Sequence, residues 1–269
     1  MKDKVVVITG ASSGIGLALS YECARRGARL VMAARSIEKL QAVSQQMKKN
    51  GHDIMVVQAD VTSEQDCRHL IDETIARYGT IHVLVNNAGI SMRALFTEVD
   101  LDVLKRVMDV NFWGTVYCTK YAIPYLIENK GSLVGVSSVA GYKGLPGRTG
   151  YSSSKFAMQG FLDVIRIENL KKGLHVLVAC PGFTASNIRN MALTADGTRQ
   201  GESPRDEGKM MTAEKVAMHI ANAIEKRKRS VILTSQGKMT VVLNKFFPAF
   251  MDKMTYNHMA KEDNAPIER

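Results

Sequence analysis

Val5-Val6-Val7-Ile8-Thr9-Gly10-Ala11-Ser12-Ser13-Gly14-Ile15-Gly16 reads as a strand, a glycine turn and the start of a helix. The first five residues are all β-branched and no polar residue alternates with them, the pattern of a strand buried on both faces. Glycines at 10, 14 and 16 then permit a tight turn, and an amphipathic run continues through Arg26 to a stop at Gly27. In such a unit the backbone can approach a pyrophosphate, while the free N–H groups and dipole of the helix start hold the anion. The spacing is Gly-x3-Gly-x-Gly, not the Gly-x-Gly-x-x-Gly of the common dinucleotide fingerprint. Taken alone, the turn also fits a tight connection that binds nothing.

The same alternation continues outward from this unit. Strands are expected at Arg29 to Ala33, Ile54 to Ala59, Ile81 to Val85, a run ending at Ser137-Ser138, His175 to Ala179, and Val231 to Leu233. Helical runs separate them: Ile37 to Asn50, one opened by Thr62 or Ser63, Leu101 to Glu128, one opened by Tyr151, and one capped by Thr212 and reaching about Lys228. Strand–helix alternation of this kind predicts an α/β fold, a single Rossmann-like, doubly wound domain with a seven-stranded, mostly parallel sheet flanked by helices. Ligand groups then belong at the carboxyl ends of the strands. Residues 1–234 form the expected catalytic domain, including a polar, weakly periodic segment at 185–211 that reads as mobile cover over a site. Residues 235–269 form a C-terminal helical extension.

With 269 residues, 45% hydrophobic and 23% charged, the chain is of ordinary globular composition and long enough for one large domain. Cys23, Cys67, Cys118 and Cys180 are scattered, without metal-ligand spacing, so reduced structural thiols and no metal are expected. The apolar run near the N-terminus is too short for a signal peptide's core, which suggests a cytoplasmic protein. The formal charge of +10 comes with few aromatics and no nucleic-acid motif, so nucleic-acid binding is not expected. Lys226 to Arg229 reads as a solvated helix end that complements the dipole.

Chemistry first shows at Tyr151-Ser152-Ser153-Ser154-Lys155. Residues four apart share a helical face, so a phenol and an ammonium become neighbours. A fixed positive charge would lower the phenol's pKa, which suits a proton shuttle. Ser138, leaving a buried strand, could reach the same spot. At the end of the second strand Ala34 stands where an acidic residue would face a ribose 2′-hydroxyl, and Arg35 beside it could pair with a 2′-phosphate. Asn86-Asn87-Ala88-Gly89 suits a place where backbone passes close to a ligand and side chains stitch strands together. Asn111 sits within a helical run beside Val110, Phe112 and Trp113, and would be costly there unless hydrogen-bonded.

Thr9-Gly10-Ala11-Ser12-Ser13-Gly14-Ile15-Gly16, Asn86-Asn87-Ala88-Gly89, Ser138, Tyr151-x3-Lys155 and Pro181-Gly182 together resemble the short-chain dehydrogenase/reductase family, from Lys4 to about Leu233. The resemblance implies Asn111, Ser138, Tyr151 and Lys155 as the catalytic set, with Asn111 keeping a water in a proton path to Lys155. It implies Gly10, Ser12, Ser13, Gly14, Ile15 and Gly16 around the pyrophosphate, with Asp60 and Val61 near adenine. Asn87, followed by Ala88 and Gly89, is implied near the adenosine ribose. Thr184 is implied near the carboxamide and Lys155 at the nicotinamide ribose, with Tyr151, Pro181 and Gly182 also implied as cofactor-binding. Arg35 matches the position linked to NADP(H). Many NADP-preferring members carry a basic residue where this chain has Ser13, so a phosphate would rest on Arg35 with help from serine.

The implied reaction interconverts a ketone or aldehyde and an alcohol by hydride transfer, with a homodimer or homotetramer as the expected assembly. Leu145, Phe183, Met191, Met210 and Met211 suggest an apolar substrate. Two rivals remain: a sugar-nucleotide epimerase or dehydratase, disfavoured by glycine spacing and length, and a catalytically silent NADPH-binding sensor or scaffold. In the tail, Leu243, Phe246, Phe247, Phe250, Met251 and Met254 form an apolar stripe divided by Pro248. It is expected to pack on the domain or a partner subunit or to close the substrate pocket, with peripheral membrane contact as the other reading.

Overall fold

A computed structural model describes residues 1–206, 208 and 210–268. Among these are nine strands: β1 (Val5–Thr9), β2 (Arg29–Ala34), β3 (Ile54–Gln58), β4 (Val83–Asn86), β5 (Ser132–Val136), β6 (His175–Cys180), β7 (Thr184–Ala185), β8 (Met211–Thr212) and β9 (Ser230–Ile232). Seven of them form one sheet in the order β3-β2-β1-β4-β5-β6-β9, with every neighbouring pair parallel. The expected "mostly parallel" sheet is therefore wholly parallel. β7 and β8 make a separate parallel pair, which ties together the two ends of the 185–211 segment.

Helices cover both faces of the sheet: α1 (Gly14–Arg25), α2 (Ile37–Lys49), α3 (Glu64–Tyr78), α4 (Leu101–Met108), α5 (Gly114–Glu128), α6 (Thr149–Glu168) and α7 (Ala213–Glu225). Two more, α8 (Ser235–Phe246) and α9 (Pro248–Met259), follow β9. Because side chains alternate along a strand, Val6 and Ile8 enter the core beneath α1 and α7, while Val7 enters the core beneath α3, α5 and α6. Each such side chain, fully buried, stabilises the fold by roughly 1.5–3 kcal/mol. That two-sided burial is why β1 carries no polar alternation. Helix starts follow local chemistry: Ser63 accepts from the Asp66 amide (3.1 Å) and donates to the Asp66 carboxylate (2.9 Å), and Thr212 accepts from the Lys215 amide. Ser63, not Thr62, is therefore the cap of α3.

Two expectations need correction. The Leu101 to Glu128 run is helical throughout, but residues Asp109–Trp113 form a π-turn between α4 and α5. The catalytic helix begins at Thr149, two residues before Tyr151. Within the single chain the tail stripe packs on the domain only in part. Pro248 does divide it, and Met251 is buried, but Phe246, Phe247, Phe250 and Met254 remain exposed. Lys143 from the loop after β5 forms an ion pair with Asp252, which fastens α9 to the domain through its polar side. The Lys226 to Arg229 run is exposed at the end of α7, as expected, and Arg227 there donates to the carbonyls of Lys130 (2.8 Å) and Gly173 (2.7 Å). All four cysteines are free and buried. Among the described residues, no helix is long and apolar enough to cross a membrane, and no His, Cys, Asp or Glu cluster could hold a metal ion.

Candidate active site

The carboxyl ends of β1, β4 and β5 and the first turns of α1 and α6 converge on one side of the sheet. Gly10 has φ +64, a left-handed conformation that glycine adopts without strain. A Cβ on Gly16 would lie 2.3 Å from the Gly10 carbonyl oxygen and 2.4 Å from Asn87 Nδ2, so glycine is required for α1 to start this close to β1. Ser13, at the helix entry, makes no side-chain cap, and the first turn contains no acidic residue. An uncapped helix start behind a glycine turn fits a pyrophosphate. Asn87 holds the turn from the β4 side, donating to the carbonyls of Thr9 (2.9 Å) and Gly10 (3.3 Å), while Thr9 Oγ1 accepts from the amides of Asn87 and Ala88 (both 3.1 Å). Asn86 reaches Thr119 on α5 (3.1 Å). Both amides thus stitch neighbouring elements.

Towards the β3 edge the ends of β1, β2 and β3 stay in step: the Ala11 amide bonds the Ala33 carbonyl and the Ala59 amide bonds the Ala34 carbonyl, both at 3.1 Å. Arg35 projects from this row and is exposed, with no ion pair among the described residues. Its neighbour Glu38 is engaged by Ser36 (3.1 Å). Asp60 is half-buried and accepts twice from Thr62, and Val61 packs against Gly114 of α5. These positions line the edge of the row, apart from the catalytic cluster.

At the other end, Lys155 is buried and donates to the Val136 carbonyl at 3.0 Å; its Nζ lies 5.7 Å from the centre of the Tyr151 ring. Ser138 lies beside Tyr151, and its hydroxyl accepts from the Ala140 amide (3.1 Å). Asn111 is fully buried. Its Oδ1 accepts from the Ile90 amide (2.8 Å), and its Nδ2 donates to the Ile90 carbonyl (3.0 Å) and to Ser154 Oγ (2.9 Å). A Cβ on Gly89 would meet both Asn111 Oδ1 (3.1 Å) and Lys155 Nζ (3.5 Å), so the two side chains meet at that glycine. The structure therefore brings Asn111, Ser138, Tyr151 and Lys155 together. On the neighbouring strand end, Pro181 is buried, and Thr184 is buried and bonded to the Gly182 carbonyl (3.1 Å).

The electrostatics differ from expectation. Burial pushes the Tyr151 phenol above its ordinary value of about 10, and the nearby Ser138 hydroxyl and the field of Arg148 pull it back only in part. Burial also draws the Lys155 ammonium down to about 8. The lysine's ammonium donates to the Val136 carbonyl, and desolvation is the leading cause of the shift in both groups. A lysine whose folded pKa lies below its unfolded one binds its proton less well in the native state. It opposes folding below about pH 8, and that penalty fades as the pH rises towards the unfolded value. Lys155→Met should therefore raise stability near pH 7 by about 1–2 kcal/mol and much less near pH 10. Urea titrations at the two pH values check this, and a variant that is less stable near pH 7 would contradict it.

Several participants carried no sequence signal. Ser154 holds Asn111, Val136 supplies only a carbonyl, and Gln159 donates to Ser137 (2.9 Å) at the back of the cluster. A carbonyl acceptor has no residue type to recognise, and Ser154 was hidden among three serines.

A glycine turn that fits a pyrophosphate lies beside a cluster in which Asn111 and Lys155 are buried and Ser138 and Tyr151 are half-buried, an arrangement suited to a nucleotide-dependent oxidoreductase. A family model described as short chain dehydrogenase matches residues 4–196. The Dictyostelium discoideum protein dehydrogenase/reductase SDR family protein 7-like is 34% identical over 262 residues, covering 95% of this chain and 81% of that one. The 11-beta-hydroxysteroid dehydrogenase A of Sesamum indicum is 43% identical over 187 residues, covering 69% of this chain and 53%, about half, of that one. The structure of a short chain dehydrogenase/reductase from Burkholderia phymatum in complex with NAD has the same fold, with a TM-score of 0.81 at 24% identity over 93% of this chain and 95% of that one. The chain belongs to the short-chain dehydrogenase/reductase family of oxidoreductases.

Proposed function

We propose that the protein is an NADP(H)-dependent reductase and dehydrogenase that interconverts an apolar ketone or aldehyde and its alcohol. The observation that carries this reading is the meeting of Asn111, Ser138, Tyr151 and Lys155, with the Lys155 Nζ 5.7 Å from the centre of the tyrosine ring, at the same strand ends as the glycine turn. Gly10 to Gly16 would hold the pyrophosphate, Arg35 the 2′-phosphate, and Lys155 the nicotinamide ribose. When bound, the cofactor supplies a hydride to the carbonyl carbon.

The residues then have distinct tasks. Tyr151 gives its proton to the carbonyl oxygen, so the C=O π bond is replaced by one C–H and one O–H bond. A phenol with a raised pKa is fully protonated at neutral pH, the form that reduction requires. Ser138 donates to the same oxygen as negative charge develops. Alcohol oxidation reverses each step and needs the phenolate, so it gains from rising pH. Asn111, with its side chain committed to Ile90 and Ser154, holds the Gly89–Ile90 turn against Lys155. An apolar substrate is supported in part by Phe183, Met210 and Met211, which line a cleft of about 550 Å³ whose remaining lining is mostly polar or charged, including Arg205, Asp206, Lys261 and Glu262. Leu145 and Met191, grouped with them on sequence, do not line it. The hydroxysteroid dehydrogenase relatives point the same way.

NADPH absorbance followed with a panel of ketones and aldehydes tests the reaction. Turnover of apolar ketones is expected, and tight NADPH binding with no turnover on any compound would favour the silent sensor. Arg35→Ser tests the cofactor. Losing a charged hydrogen-bond donor to the phosphate should raise the KM for NADPH by about 10- to 100-fold and leave NADH within about threefold. Equal use of NADH and NADPH by the unaltered protein would contradict the preference.

A further inference from the structure

Glu262, in the tail beyond α9, is 3% exposed although it is a carboxylate. Three arginines meet it, each from a different loop around Tyr151. Arg148, the residue before α6, donates to both carboxylate oxygens (3.2 and 2.9 Å). Arg205, from the 185–211 segment, donates to Oε1 at 2.6 Å. Arg93, from the loop between β4 and α4, places Nε 3.5 Å from Oε2 and donates through its other end to the Asp263 carbonyl at 2.5 Å. Among the described residues, Glu262 is the carboxylate with which all three form ion pairs.

The rest of the tail follows the same course. Gly147, at φ +68, leaves room for Pro266, whose ring a Cβ there would meet at 2.6 Å. Arg205 stacks its guanidinium over the Phe183 ring at 4.0 Å and bonds His258 at 3.1 Å. Phe183, Arg205, His258 and Glu262 all line the 550 Å³ cleft.

Resting on the carbonyl-reductase reading above, we propose that the C-terminal tail forms the outer wall of the substrate site. Glu262 is the positioning residue that gathers Arg93, Arg148 and Arg205, and with them the three loops, around Tyr151. Buried like charges repel strongly unless a counter-charge lies among them. Without Glu262 the three guanidinium groups drive the loops apart, and a large substrate loses its wall while the chemistry beneath remains. Glu262 is thus a determinant of substrate size and touches no reacting atom.

The test compares Glu262→Gln with the unaltered full-length protein. The KM for a bulky apolar ketone should rise by about 10- to 100-fold, with kcat/KM for a small aldehyde and NADPH affinity each within about twofold. Amide hydrogen exchange should quicken in residues 90–96 and 185–206 and stay unchanged in the sheet strands. Glu262→Asp should restore most of the loss. Arg205→Gln, which keeps the tail paired to Arg93 and Arg148, should quicken exchange in 185–206 alone, and it serves if Glu262→Gln does not fold. The proposal is overturned if bulky and small substrates weaken in parallel, or if exchange in these loops is unmoved. An unaltered protein that turns over no carbonyl compound would defeat the proposed reaction, while the exchange result would still decide the role of the tail.

Discussion

Replacing Tyr151 with phenylalanine will lower carbonyl reduction by about 10²- to 10⁴-fold and leave NADPH affinity within a few-fold of the unaltered value. In the proposed reaction the phenol is the proton donor, and Phe keeps the ring against which Lys155 packs, 5.7 Å from its centre. The fold should therefore survive and the loss should fall on kcat. Ser138 lies beside the same hydroxyl, but an aliphatic hydroxyl is a far weaker acid than a phenol and cannot take over the proton transfer. Single-turnover reduction with saturating NADPH measures the chemical step directly. A rate within about threefold of the unaltered protein would remove Tyr151 from its proposed role.

The second large effect belongs to Asn111. Its side chain satisfies the Ile90 amide, the Ile90 carbonyl and the Ser154 hydroxyl at a position with no exposure, so Asn111→Leu leaves all three without that partner. Each unsatisfied buried group costs about 1–3 kcal/mol. A total of roughly 3–5 kcal/mol is a large share of a typical domain's 5–15 kcal/mol. The urea midpoint should fall accordingly, and turnover should fall with it even where the protein is still folded, because Gly89 and Ile90 lie against Lys155. If stability were unchanged and only turnover fell, Asn111 would act on the reaction and not through the Ile90 turn.

How far the sequence foretold this depends on where each feature originates. β1 and its glycine turn could be read because their signal is local: unbroken β-branching, then glycines where side chains would collide. The meeting of Tyr151 and Lys155 was equally legible, since helical spacing alone makes them neighbours. The direction of the phenol's pKa was not, because it depends on how much water the folded chain removes from each group, and spacing carries no record of that. Asn111 could be recognised as costly, yet its partners lie far off in the chain at Ile90 and Ser154, and the π-turn that carries it is visible only in three dimensions. Periodicity revealed the apolar stripe of α8 and α9 without telling what it faces, and its phenylalanines proved exposed. Glu262 left no trace at all, since a lone acid in a polar tail looks solvated until three loops fold onto it.

A crystal structure with NADPH bound is the most direct measurement of the central claim, that a proton from Tyr151 and a hydride from the nicotinamide meet at one carbonyl. The nicotinamide ring should lie beside the Tyr151 hydroxyl, with the ribose within reach of Lys155 and the pyrophosphate on the first turn of α1. A nicotinamide ring far from Tyr151 in a cofactor that is otherwise well ordered would contradict the account.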